Sequence, residues 1–139
     1  MNIYSKVNPE LLLHTIYRLS DFDSARHDFT AEDKFLQGAV IGMDKGKKYR
    51  SHMHIECVRT TNMTQEAWVV LRGSVAIKYF DTDGSFLTED VIREGDCSIT
   101  FGGGHSFEGG DDDTIVYEFK SGPYHGREAD KIWLEENIS

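Results

Sequence analysis

The run Val75-Ala-Ile-Lys-Tyr-Phe80 stops at Asp81-Thr-Asp83-Gly84 and a second apolar run follows over residues 86–92. An Asp-Gly step in such an interruption supplies the positive-φ residue that a tight hairpin requires. The same punctuation recurs along the chain. Residues 35–42 close at Asp44-Lys-Gly46, residues 52–59 form a second run, and residues 64–71 end at Arg72-Gly73. Glu94-Gly95-Asp96 turns again, residues 98–101 run into three glycines, and residues 114–120 place Ile115, Tyr117 and Phe119 on one strand face. Many short strands with little helix between them predict an all-β sandwich or closed barrel.

The first 34 residues read differently. Asn8-Pro9-Glu10 has the form of a helix start, Asn as N-cap and Pro at the first helical position, although Leu11 to Leu13 would add barely one turn. Residues 1–34 are therefore expected to be an N-terminal arm lying over the barrel or a partner subunit, with residues 35–139 forming the barrel. Near the other end Gly122-Pro-Tyr-His-Gly126 breaks the sheet, and residues 130–136 suit a strand or a short helix. Asp111-Asp-Asp113 reads as a charged loop tip.

At 139 residues the chain suits one domain, and 39% hydrophobic with 12% aromatic residues is a globular composition. A net charge of -9 opposes a nucleic-acid partner held through phosphates. No apolar run approaches the ~20 residues that span a bilayer. The longest N-terminal apolar stretch, Leu11-Leu-Leu13, is too short for a secretory core, so a cytoplasmic location is expected. Two cysteines without C-x-x-C spacing fit a reducing compartment, and Cys57 reads as a buried free thiol.

Chemistry concentrates at His52, His54, Glu66 and His105. An H-x-H pair on a strand turns both imidazoles to one face. With a carboxylate and a third imidazole, each bounded by turn glycines (Gly46, Gly73, Gly95, Gly102), the set reads as a metal site. Three nitrogens and one oxygen suit one divalent transition metal, Fe, Mn, Ni or Zn. The plain alternative is two polar histidines on a half-exposed strand. Glu56 shares the His52/His54 strand face and competes with Glu66 as the carboxylate. His14, His27 and His125 lack partners at ligand spacing and read as surface residues.

These residues resemble the cupin superfamily. Its first motif, G-x5-H-x-H-x3-4-E-x6-G, is matched by Gly46, His52, His54, Glu66 and Gly73, with eleven residues between His54 and Glu66. Its second, G-x5-P-x-G-x2-H-x3-N, is matched by Gly95, Gly102 and His105. Thr100 stands for the Pro, one residue is missing after Gly95, and Gly109 stands for the Asn. The resemblance covers roughly residues 35–120. It implies a jelly-roll barrel, commonly dimeric, holding one metal on His52, His54, Glu66 and His105. Residues 64–70 and 116–124 are also similar to small bacterial cupins linked with surface-polysaccharide and nucleotide-sugar pathways.

Strand parity adds Arg50 and Glu56 to the face of His52 and His54, and Trp68 and Val70 to that of Glu66; Tyr117 is expected to join them. Arg50 is a candidate anion anchor, and Glu56 and Tyr117 are candidate catalytic proton carriers. Trp68 either stacks a sugar or fills the core. Lys45, Lys47, Lys48 and Arg50 put positive charge beside His52 in an acidic chain, which suits a small anionic ligand such as a sugar phosphate or sugar acid. Three functions follow. One is a metal-dependent isomerase or epimerase of a sugar or sugar nucleotide, working through an enediolate. The others are an Fe(II)-dependent dioxygenase and a non-enzymatic sugar-binding or regulatory module. Each is expected as a homodimer built through the N-terminal arm.

Overall fold

The computed structural model describes residues 1–23 and 26–135. The protein is all-β. Among the described residues ten strands follow in order: β1 (Asn2–Tyr4), β2 (Leu12–Tyr17), β3 (Arg26–Asp28), β4 (Ala39–Ile41), β5 (Glu66–Arg72), β6 (Ser74–Phe80), β7 (Phe86–Arg93), β8 (Cys97–Thr100), β9 (Gly104–Gly109) and β10 (Ile115–Lys120). A single-turn helix, α1 (Arg127–Asp130), comes after them. Residues 131–135 have no regular structure, and Glu136 lies outside the described residues.

The main sheet has five strands in the order β1-β2-β8-β5-β10, and a second has three in the order β7-β6-β9. All of their pairings are antiparallel. The sheets face each other across one apolar layer, Ile3, Ile16 and Val70 from the first against Val75, Ile77, Tyr79 and Ile92 from the second. Among the described residues no ladder joins the two sheets into a closed barrel. A second apolar cluster, Ala67, Cys97, Ile99 and Phe101 with Phe29 and Leu36 packed on it, covers the outer face of the main sheet. Phe29 and Leu36 belong to the segment around the β3–β4 ladder.

The β6–β7 hairpin turns where the Asp-Gly step requires, with Gly84 at φ +83° and the Asp81 N–H bonded to the Ser85 carbonyl at 2.8 Å. Asp81 also ties this turn to the N-terminus. Its carboxylate accepts from Ser5 Oγ at 2.6 Å and from the Lys6 N–H at 2.6 Å.

Three local expectations are overturned. Residues 2–17 enter the main sheet, with β2 between β1 and β8, and the Asn8-Pro9 segment is the turn between β1 and β2 rather than a helix start. Residues 52–59 are not a strand, because no neighbouring strand supplies a ladder there. Of residues 35–42 only β4 is extended and paired.

Candidate functional site

The start of β5 and the start of β9 meet at the edge of the core. β5 pairs with β8 so that Glu66 lies opposite Thr100, and β9 pairs with β6 so that His105 lies opposite Tyr79. Glu66, Trp68 and Val70 alternate onto the inner face of the main sheet, as Val70 in the inter-sheet core shows. Glu66 Oε1 comes within 3.5 Å of His105 Nε2. The same oxygen accepts a 2.7 Å hydrogen bond from Trp68 Nε1, which fixes the carboxylate. Trp68 lies flat on Phe107, with ring centroids 3.8 Å apart and planes 9° apart, so one face of the indole belongs to the core.

Behind His105 is a buried relay that sequence spacing did not reveal. Thr100 Oγ1 is 2.9 Å from His105 Nδ1 and 3.0 Å from His14 Nδ1, and His14 Nε2 is 3.3 Å from the Phe80 carbonyl. His14, expected at the surface, is fully buried. Burial pushes its imidazole down to about 4, the Phe80 carbonyl opposing and His105 adding to the shift. Burial likewise pushes His105 down to about 4, Lys131 adding and Glu118 opposing. Both shifts favour the neutral imidazole.

The tautomers follow from donors and acceptors alone. The Phe80 carbonyl can only accept, so His14 carries its proton on Nε2 and its Nδ1 accepts from the Thr100 hydroxyl. The Thr100 oxygen is then free to accept from His105 Nδ1–H. This leaves the lone pair of His105 Nε2 facing a carboxylate oxygen. Two acceptors at 3.5 Å repel unless a cation or a proton lies between them. Metal-binding histidines commonly donate one ring N–H to a hydrogen-bond acceptor, which leaves the lone pair of the other nitrogen to face the metal.

Glu118 is the second residue the sequence reading missed. The β10–β5 register puts Glu118 opposite Trp68 and Tyr117 opposite Val69, so Glu118 faces inward and Tyr117 outward. Tyr117 is 58% exposed and belongs with Phe119 on the outer face, so its expected inward role is corrected. The Glu118 carboxyl is raised by burial first, then by the charge of Glu66 and a hydrogen bond with it, with Lys120 and Lys131 opposing.

The other expected site residues lie elsewhere. Residues 43–60 are exposed throughout, including Arg50, His52, His54 and Glu56. Without a strand, parity assigns Arg50 and Glu56 to no common face. The His52 and His54 rings do approach each other, with centroids 5.2 Å apart, and His52 Nδ1 bonds the Arg50 carbonyl at 3.0 Å. Cys57 is exposed rather than buried, because the segment that carries it has no core beneath it. Among the described residues no three His, Cys, Asp or Glu side chains converge to hold a metal. Within one chain, Glu66 and His105 supply a matched carboxylate and imidazole, which fits half of a metal's donor set.

No helix among the described residues is long and apolar enough to cross a membrane. No family model matches the chain, and no curated protein or solved structure matches it.

Proposed function

We infer that this protein is a cupin-type jelly roll that binds one divalent transition metal and isomerises or epimerises a small anionic sugar or sugar nucleotide. The observation that carries the reading is the 3.5 Å approach of His105 Nε2 to the Glu66 carboxylate, with the other nitrogen of that ring held by the Thr100–His14 relay. A sheet of β2-β8-β5-β10 opposed to one of β7-β6-β9, all antiparallel, supports the jelly-roll architecture. The H-x-H pair, His52 and His54, would complete the ligand set with Glu66 and His105.

A bound metal would polarise a substrate carbonyl, which makes the neighbouring C–H more acidic. The residues of the chain do the rest. Trp68 and Thr100 hold the two ligands in place. Glu118, on the same inner face as Glu66, would take a proton from one carbon and return it to the next. Lys45, Lys47, Lys48 and Arg50 lie close in sequence to His52 and favour an anionic substrate.

The test is elemental analysis of protein purified without an affinity-tag metal, followed by assays of the metal-loaded and chelated forms on sugar phosphates and nucleotide sugars. Metal-dependent, oxygen-independent turnover is expected. Turnover that survives complete metal removal defeats the reading. Consumption of dioxygen would replace it with the dioxygenase, and saturable binding without product would replace it with a regulatory module.

A further inference from the structure

Two incomplete features of the fold have matching chemistry. The first is the edge of β9. In the order β7-β6-β9 this strand is terminal, so among the described residues one side of its backbone has no strand neighbour, and it carries His105. The second is the loop between β4 and β5. Residues 43–60 are exposed along their whole length, and residues 48–60 make no backbone-to-backbone hydrogen bond with either sheet.

This loop does not have the composition of a solvated connection. Around the H-x-H pair it alternates, with His52, His54 and Glu56 on one parity and Met53, Ile55 and Cys57 on the other. Alternation of this kind marks a strand with two unlike faces. Yet Met53 is 92%, Ile55 85% and Val58 95% exposed. Large apolar side chains gathered in one exposed segment mark a surface that another body covers.

We propose that residues 48–60 of one chain add as a strand to the free β9 edge of a second copy, so that His52 and His54 of each chain complete the site begun by Glu66 and His105 of the other. The ends of the loop are pinned to their own body. On one side β4 pairs with β3; on the other Gln65 Oε1 accepts the Leu36 N–H at 2.8 Å and Thr64 Oγ1 bonds Asp130. Between these anchors the chain leaves its own body and lies against neither of its sheets. Thirteen extended residues at roughly 3.3 Å each span on the order of 40 Å, more than the six residues of β9 need for a full-length partner strand. An identical exchange in both directions leaves no loop and no β9 edge unpaired, so the assembly closes at two copies. Eleven residues separate His54 from Glu66, too many for a tight hairpin, so the stretch after residue 60 is left to lead back to the body that carries Glu66.

The metal part of this proposal rests on the function inferred above, whereas the strand exchange does not. Two variant chains separate them: one carries His52→Ala and His54→Ala, the other Glu66→Gln and His105→Ala. Each is purified alone, and the two are also refolded together under different tags; all are loaded with Zn(II). Exchange predicts two zinc ions per wild-type dimer, none in either variant homodimer and one in the mixed dimer. A mixed dimer without zinc, beside a wild type that holds one per chain, means the site closes within each chain and overturns the proposal. If no form holds zinc, the metal reading fails, and the exchange is judged by amide hydrogen exchange of residues 50–58. Protection that is slow in the dimer and lost on dilution supports it. Fast exchange at every concentration overturns it.

Discussion

Glu66 Oε1 stands 3.5 Å from His105 Nε2, and the hydrogen bonds behind the ring assign its proton to the other nitrogen. The carboxylate already accepts from Trp68, and the only proton on the imidazole is turned away toward Thr100. A cation placed between them turns a repulsive pair into a ligand pair. Glu66→Gln removes the charge, and His105→Ala removes the nitrogen. Each is expected to weaken Zn(II) binding by more than the ~10–100-fold typical of losing an outer hydrogen-bond partner. Equilibrium dialysis with elemental analysis measures this, and unchanged metal content in both variants removes the pair as ligands.

Thr100 serves two imidazoles with one hydroxyl. Thr100→Val keeps the shape and leaves two buried ring nitrogens without their partner, at a cost of about 1–3 kcal/mol in chemical denaturation. Zinc affinity is expected to fall ~10-fold, because His105 loses the bond that orients it. Thr100→Ser restores both. A Val variant that binds zinc as the wild type does would show that the relay has no part in the site.

Turnover separates the two carboxyl and phenol candidates on β10. Glu118 shares the inner face with Glu66, whereas Tyr117 looks outward. Glu118→Gln is expected to lower kcat roughly 100-fold, the lower end of what a positioned acid or base contributes. Tyr117→Phe is expected to leave kcat unchanged. The opposite ranking in steady-state assays would return the proton role to the tyrosine.

Asp81 predicts an acid dependence. Burial opposes its ionisation, but hydrogen bonds from Ser5, Thr82, Lys6 and Val7 outweigh it and hold the carboxyl well below the usual aspartate range. A folded-state value below the unfolded one of about 3.9 means the group stabilises the fold above that pH. The contribution is lost as pH falls through the lower, folded value. Asp81→Asn should therefore lower the thermal midpoint at pH 7, and the gap to wild type should narrow as the pH drops below about 4. A gap that is constant with pH assigns the loss to packing.

The strands that announce themselves in the sequence are those with strong local signals. β5 to β8 and β10 lie where apolar runs end in Gly73, Gly84 or Gly95 or follow the aspartate tip. β2 was illegible because it is buried nearly throughout and so shows no alternation, while Asn8-Pro9 imitates a helix cap. β9 carries glycine at both ends and little β-branched character, so neither periodicity nor propensity marks it. Residues 52–59 show the opposite failure, a strand pattern with no partner in its own sheets. At the site, Glu66 and His105 were legible from motif spacing. Glu118 was hidden because the aromatic Tyr117 looked like the inward member of β10, and only the register with Trp68 reverses that choice. His14 lacked any near neighbour in sequence, since its link to His105 runs through Thr100, 86 residues away.

The shared Thr100 hydroxyl gives the interior a view of the surface. Whatever claims the outer nitrogen of His105 alters how firmly its other nitrogen grips that oxygen, and so how freely the same oxygen gives its hydrogen to His14. The nitrogen resonances of an imidazole sealed from solvent thus become a spectroscopic gauge of occupancy, readable without touching the ligand itself.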